Sequence, residues 1–434
     1  MTSFRTNPGG CLCGEARVPG DKSISHRAVM LTAIAEGSSR IHGLLTGTDV
    51  LATAAAFRAM GVSMEFEPDG ALAVQGVGRR GLRAPQGDLD LGNSGTAMRL
   101  MAGLLSGQRF PTRLVGDASL SRRPMRRVTE PLRQMGADIE ASSDGTPPLV
   151  IRPVNKLSAI RYRMPVASAQ VKSAILLAGL YADGRVCVAE PAPLRDHTER
   201  MLQGMGVVVE IEDGWRCIEP GDLRAVDIQV PADFSSAAFF LVGASIAPGS
   251  ELRLSHVGVN PTRTGLLQVL LQMGADIRLE NQTEVAGEPV ADLVVRSSSL
   301  RGIEVAPELV PLAIDEFPII CVAAALAEGE TRIREAEELR HKESDRISAM
   351  AAGLRTLGVE VEEAHDGMTI QGRQTLNGGA VDSFTDHRIA MAFAIAGLRA
   401  SASITVRDVE NVATSFPGFE STARALGLEL NRDE

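Results

Sequence analysis

The sequence predicts an α/β fold assembled from six similar units, and three observations point to it. One phrase recurs along the whole chain, and each copy closes on a glycine followed by an alternating apolar stretch. Each unit also carries a helix that is apolar on nearly every face. Short alternating stretches lie between the helices and read as half-buried strands.

The phrase is an apolar residue, two variable residues, Met or Leu, then Gly. It runs Phe57-Arg-Ala-Met-Gly61, Leu132-Arg-Gln-Met-Gly136, Leu202-Gln-Gly-Met-Gly206, Leu270-Leu-Gln-Met-Gly274, Leu354-Arg-Thr-Leu-Gly358 and Ala423-Arg-Ala-Leu-Gly427. The glycines are spaced by 75, 70, 68, 84 and 69 residues, so the period fills the chain. A helix ends there, glycine takes the left-handed position after the cap, and a strand follows.

The apolar helices are expected to start near Lys22, Ser94, Ala169, Ser235, Asp315 and Asp386. Residues 174–180, 237–246 and 389–398 are almost wholly apolar, which predicts burial on all sides. The second helices, at residues 195–205 and 342–357 for example, carry charges and read as amphipathic. Glu251-Leu-Arg-Leu and Thr331-Arg-Ile-Arg alternate as strands do. Each unit therefore reads strand–helix–strand–helix–strand.

Six such units close either into one long solenoid or into two compact threefold domains. A break at Val230-Pro-Ala-Asp233 follows the third unit and favours two domains. The expected boundaries are residues 20–232 for the first, and 1–19 with 233–434 for the second. The strand ahead of Pro19 then crosses into the second domain.

Composition narrows the function. Aromatics are 3% of the chain, with one Trp and two Tyr, which argues against a base-stacking platform for nucleic acid. A formal charge of −10 argues against general polyanion binding, so an anion site must be a local cluster of Lys and Arg. Five cysteines show no metal-ligand spacing and read as reduced thiols of a cytoplasmic protein. No secretory leader and no membrane span is expected, because the apolar runs are too short.

The units differ in what they place near helix starts. The first offers Lys22, Ser23 and Arg27 in Pro19-Gly-Asp-Lys-Ser, with Ser23 as the expected N-cap. The second offers Leu91-Gly-Asn-Ser-Gly-Thr-Ala-Met-Arg99, where Gly95 allows close backbone approach and Asn93, Ser94 and Thr96 supply donors. It then adds Arg122, Arg123, Arg126 and Arg127 around Pro124, the expected first residue of a helix. The third offers Ser168, Ala169 and Gln170, then Arg195. The fifth and sixth offer Asp315, then Lys342-Glu-Ser-Asp-Arg346, then Asp386-His-Arg388. Cations at helix N-termini oppose the helix dipole, costing about 0.3–1 kcal/mol each when exposed. Bound anions offset that cost, which favours ligand binding over helix stability. There is no nucleotide phosphate loop and no nucleophile elbow.

These motifs, in this order, resemble the enolpyruvyl transferase family, and within it the EPSP synthases. Ser168-Ala-Gln-Val-Lys-Ser-Ala and Arg195-Asp-His-Thr-Glu resemble the bacterial branch called class II. The resemblance implies a two-domain inverse α/β barrel, each domain three βαβαββ repeats, with helix N-termini facing an interdomain cleft. It implies transfer of the enolpyruvyl group of phosphoenolpyruvate to the 5-hydroxyl of shikimate 3-phosphate, by addition then elimination, in aromatic amino-acid biosynthesis. It implies no metal and no cofactor; a monomer is expected, and Gly95, which puts no methyl in the site, predicts inhibition by glyphosate.

By the same resemblance, Lys22, Arg123, Arg346 and Arg388 hold phosphoenolpyruvate, with Gly95 and Gln170 beside it. Ser23, Arg27, Ser168, Ala169, Gln170 and Arg195 hold shikimate 3-phosphate, and Asn93, Thr96 and Lys342 join the substrate site. Asp315 takes the hydroxyl proton. Glu343 gives a proton to the methylene carbon, with Lys22 and Lys342 as competing donors.

Two departures stand out. Ala413-Thr-Ser-Phe-Pro417 has Thr414 where many members carry a lysine, and a pocket tyrosine of other members is absent, with Arg195 in its region. The alternative within the family group, a UDP-N-acetylglucosamine enolpyruvyl transferase, uses a cysteine in the second unit's loop. Residues 116–123 contain none. A non-catalytic anion-binding scaffold is the alternative outside enzymes.

Overall fold

A computed structural model describes residues 2–433. All six phrase glycines take positive φ, from 82° at Gly358 to 109° at Gly427. The residue before each, Met60, Met135, Met205, Met273, Leu357 or Leu426, caps its helix. The helix stop read from the sequence is therefore local chemistry repeated six times: only glycine enters the left-handed region without strain.

Among the described residues the chain separates into two compact units. One is Gly20–Val230 with Val285–Glu288; the other is the residues up to Pro19, Pro231–Glu284 and those from Pro289 on. These are called the first and second domain below. Pro231 and Ala232 group with the second unit and residues 285–288 with the first.

Each domain holds three sheets, and five of the six follow one plan: a central strand takes a parallel neighbour on one side and an antiparallel pair of strands on the other. The sheet of Glu330–Ile333, Gly367–Gln371 and Glu360–Ala364 has isolated parallel bridges in place of the parallel strand. In the second sheet Thr112–Val115 pairs parallel with Leu89–Asp90 and antiparallel with Leu149–Arg152, which pairs with Asp138–Glu140. The third repeats this as Arg161–Arg163, Val186–Ala189, Trp215–Ile218 and Val209–Glu212. The strand–helix–strand–helix–strand reading thus omits one strand per unit, the second arm of the closing hairpin.

The first sheet borrows its parallel strands from the end of the domain: Ala35–His42 pairs with Leu223–Arg224 and Ile228–Gln229. The second domain closes with the N-terminal segment. Cys13–Ala16 is the parallel neighbour of Glu251–Gly258, and Ser3–Thr6 lies between Ile404–Arg407 and Leu430–Asp433.

The apolar helices fill the interiors. Lys22–Ala33, Gly95–Leu105 and Ala169–Gly179 serve the first domain. Phe234–Ile246, Phe317–Ala325 and His387–Ala396 pack on one another in the second. Phe234–Ile246 is buried at every position, which explains a sequence with no polar face. Helices Gly95–Leu105 and Ala169–Gly179 approach so closely that a Cβ on Gly103 would stand 2.1 Å from the Ala174 carbonyl oxygen.

One expectation about the cysteines fails. Cys187 and Cys217 form a disulfide, while Cys11, Cys13 and Cys321 are free. The two are directly opposed on the antiparallel strands Val186–Ala189 and Trp215–Ile218, a register that cysteine spacing alone does not reveal. Among the described residues no helix is long and apolar enough to cross a membrane.

Candidate active site

In the first domain the site begins where Pro19-Gly turns into helix Lys22–Ala33. Asp21, not Ser23, is the N-cap, and its carboxylate accepts from the Ile24 N–H at 2.8 Å. Ser23 stands in the first turn instead. Two good capping residues lie two apart, and the chain bends at the earlier one. Lys22 pairs with Asp49.

Arg27 is 4% exposed and held on three sides. It donates to Thr198 Oγ1 at 2.7 Å, Ser173 Oγ at 2.8 Å and the Ser23 carbonyl at 2.8 Å. Burial pulls its pKa down to about 10, against the upward pull of Glu199 and Asp21, and Arg195 adds a repulsion from the loop before helix His197–Gly204. Arg27 is therefore still a cation at neutral pH. Thr198 and Ser173, which lie in the quoted motifs but have no task assigned from sequence, fix its orientation.

The second and third units supply a linked set. Ser94 caps helix Gly95–Leu105 by accepting from the Ala97 N–H at 3.1 Å, and its hydroxyl lies 3.3 Å from His26 Nε2. Asn93 bridges two residues: its Nδ2 donates to Asp117 at 2.7 Å and its Oδ1 accepts from Arg123 at 2.5 Å. Gln170 donates to Thr96 Oγ1 at 2.9 Å and accepts from Arg99 at 2.6 Å. A Cβ on Gly95 would meet Arg99 Nη1 at 2.9 Å and Arg123 Nη1 at 3.2 Å, so both guanidinium groups gather over that glycine. Ser168 caps helix Ala169–Gly179, which makes Ala169 its first residue.

Of the four arginines around Pro124 only Arg123 is buried, while Arg122, Arg126 and Arg127 are exposed. The helix there starts at Arg126, not at Pro124. Pro124 uses its carbonyl to accept from Arg99 at 3.4 Å. Arg99 ended a motif noted in the sequence, yet its place beside Gln170 and Gly95 shows only in the fold.

The second domain builds its cluster around Asp315, just before helix Phe317–Ala325, with Glu316 rather than Asp315 in the cap position. Arg346 Nη1 lies 3.6 Å from the Asp315 carboxylate, and Arg263 Nη1, Lys342 Nζ and Arg388 Nη2 each lie 3.9 Å from it. Arg388 also donates to the Asp315 carbonyl at 3.0 Å. Four cations around one carboxylate favour its ionised form.

Arg346 is 1% exposed and donates to Asp386 at 2.8 Å and Glu343 at 2.7 Å. Burial pulls its pKa down, but Asp386, Glu343 and Asp315 outweigh that and hold it above the usual arginine value. Asp386 serves twice, since it also caps helix His387–Ala396. Lys342 donates to Glu338 at 3.1 Å. Thr414 donates to the Asn411 carbonyl at 2.7 Å and brings no charge to its segment. Arg263 is missing from the sequence reading: it lies in the fourth unit, whose helix starts carry no paired cation motif.

Among the described residues no group of three or more His, Cys, Asp or Glu side chains could hold a metal ion. The arrangement can instead bind phosphates and carboxylates with arginine forks, and place an ionised carboxylate among them.

Residues 6–423 match the family EPSP synthase (3-phosphoshikimate 1-carboxyvinyltransferase). The 3-phosphoshikimate 1-carboxyvinyltransferase of Alkalilimnicola ehrlichii is 61% identical over 432 residues, covering 99% of this chain and 97% of that protein. The relative of that name from Halorhodospira halophila is 61% identical with the same coverage. A solved EPSP synthase from Acinetobacter baumannii superposes with a TM-score of 0.90 at 49% identity, covering all of both chains. The enolpyruvyl transferase NikO from Streptomyces tendae shares the fold, with a TM-score of 0.79 at 19% identity over 100% of this chain and 99% of its own.

Proposed function

The chain belongs to the EPSP synthase (3-phosphoshikimate 1-carboxyvinyltransferase) family and is a transferase, and from that premise we propose how its residues divide the work on phosphoenolpyruvate and shikimate 3-phosphate. The enolpyruvyl group passes to the 5-hydroxyl of shikimate 3-phosphate and phosphate leaves. Both substrates are phosphorylated carboxylates that repel each other. Charge-assisted hydrogen bonds of roughly 1.5–3 kcal/mol each offset that repulsion.

Lys22, Arg123, Arg346 and Arg388 hold phosphoenolpyruvate, with Gly95 leaving room for it and Gln170 fixed beside it by Thr96 and Arg99. Ser23, Arg27, Ser168, Ala169, Gln170 and Arg195 hold shikimate 3-phosphate. Asp315 takes the proton of the 5-hydroxyl as its oxygen attacks C2 of the enol. A proton goes to the methylene carbon, giving a tetrahedral intermediate. Elimination then breaks the C–O bond to phosphate and returns a proton from the methyl group.

Glu343 is the donor best supported by position. In the free protein its bond to Arg346 favours the carboxylate. When phosphoenolpyruvate takes the Arg346 cation, Glu343 loses that support and gains an anionic neighbour. Both changes disfavour the carboxylate, as a proton donor to the methylene carbon requires. Lys342 and Lys22 remain the competing donors.

The observation that carries this reading is the cationic cage on Asp315. The test is release of phosphate, measured with both substrates and with each alone. Turnover needing both, and lost in Asp315→Asn and Arg123→Gln alike, supports it. Phosphate release unaffected by either change would overturn it. Glyphosate, an anion carrying a phosphonate and a carboxylate, is expected to compete with phosphoenolpyruvate.

A further inference from the structure

Three of the four cations around Asp315 have a task in the proposed reaction; Arg263 has none. It is 3% exposed, and its guanidinium is anchored from behind. Nη2 donates to Ser235 Oγ at 2.7 Å and to Asp233 Oδ1 at 3.2 Å, while Nη1 stands 3.9 Å from Asp315 Oδ2. Asp233 and Ser235 form the capped start of the wholly buried helix Phe234–Ile246, so the anchor is rigid. Ser235 in turn donates to Glu316, the residue after Asp315.

The backbone is locked as well. The N–H of Arg263 is bonded to the Asn260 carbonyl at 2.8 Å. Two residues on, a Cβ on Gly265 would stand 2.7 Å from the Leu312 carbonyl carbon and 2.8 Å from the Ala313 nitrogen. The start of helix Gly265–Gln272 is thus pressed against the segment that leads into Asp315. Backbone and side chain hold Arg263 and Asp315 in one register.

We propose that Arg263 is the positioning residue of the catalytic base: it aims the Asp315 carboxylate and keeps it ionised while Lys342, Arg346 and Arg388 are drawn to the anionic substrate. The inference rests on the reading of Asp315 as base. Once substrate phosphate and carboxylate share the other three cations, their hold on Asp315 weakens. Arg263 keeps its place because Asp233 and Ser235 retain it. Among the carboxylates that bind these cations are Glu316, which accepts from Arg388 at 3.5 Å, and Glu343 and Asp386, both bound to Arg346. Glu338 is bound to Lys342. None of these four can replace a cation.

The experiment is the pH profile of kcat/KM and kcat for wild type, Arg263→Gln, Arg263→Lys and Ser235→Ala. A base acts when ionised, so losing a neighbouring cation raises its pKa and moves the acid limb to higher pH. Arg263→Gln should move that limb up by about one pH unit. It should lower kcat by roughly 10–100-fold with the KM for phosphoenolpyruvate little changed. Arg263→Lys should restore the limb, and Ser235→Ala, which loosens the anchor but keeps the charge, should give a smaller fall in kcat. A fall in kcat with an unmoved limb would reduce Arg263 to a structural role, and a rise in KM alone would make it a substrate ligand. Either overturns the proposal. If Arg263→Gln does not fold, unchanged kcat in Ser235→Ala overturns it. A wild-type protein releasing no phosphate from the two substrates refutes the underlying reading instead.

Discussion

Asp386 accepts the Nε–H of Arg346 at 2.8 Å, and the two side chains are 0% and 1% exposed. Removing Asp386 strips the buried Arg346 of its best-shielded partner and leaves Glu343 and the more distant Asp315 to face it. Asp386→Ala is expected to cost about 3–5 kcal/mol of stability, the loss of the helix cap included. Urea unfolding at unchanged m-value measures it. A loss below about 1 kcal/mol, the range of exposed pairs, would show that water reaches Arg346.

Gly95→Ala is expected to fold normally and bind anions worse. The added methyl meets the far ends of Arg99 and Arg123, which can swing away, not fixed backbone. Overpacking of this kind costs about 1–3 kcal/mol, or roughly a 5–150-fold loss of affinity. Glyphosate is longer between its two anionic ends than phosphoenolpyruvate. Its inhibition constant should therefore rise more than the KM for phosphoenolpyruvate, and equal rises would count against this account.

Glu343→Gln separates the candidate proton donors. Glutamine can still accept from Arg346, so binding of phosphoenolpyruvate should change little. Loss of a general acid lowers kcat by roughly 10²–10⁴-fold. Near wild-type kcat in the variant would pass the role to Lys342 or Lys22.

His26 makes stability depend on pH. It sits between Thr53 Oγ1 at 2.8 Å and Ser94 Oγ at 3.3 Å. Burial pushes its pKa well below 6.5, Lys22 and Arg27 push it further, and Asp21 opposes them. Below pH 6.5 the unfolded chain therefore binds a proton that the folded chain refuses. Stability should fall with pH there, by up to about 1.4 kcal/mol per pH unit from this group. His26→Gln should flatten the slope between pH 7 and 5 in urea titrations, and identical slopes would exclude the effect.

The repeat was readable because its signal is local. A helix stop at Gly61 or Gly274 needs nothing from the rest of the chain. Lys342, Arg346 and Arg388 were readable for a similar reason, since each lies near a helix start where cations are out of place. Arg263 was not, because its relation to Asp315 depends on the close packing at Gly265. The pairing of Cys187 with Cys217 depends on strand register, which 29 intervening residues do not announce. Asp21 and Ser23 were equally good caps by type, and the backbone bend at Asp21 decided between them.

The N–H of Asn7 donates to the carbonyl of Glu429 at 2.9 Å, and the two residues are 422 apart in sequence. Gly20–Val230 emerges from the ribosome as one continuous stretch and can begin to fold as soon as it is made, with only Val285–Glu288 of its domain still to come. The other domain has to wait: Cys13–Ala16 lacks its partner until Glu251–Gly258 is made, and Ser3–Thr6 until Ile404–Arg407 and Leu430–Asp433 are. The exposed edges of Ser3–Thr6 and Cys13–Ala16 during that interval are where chaperone capture and premature aggregation would concentrate.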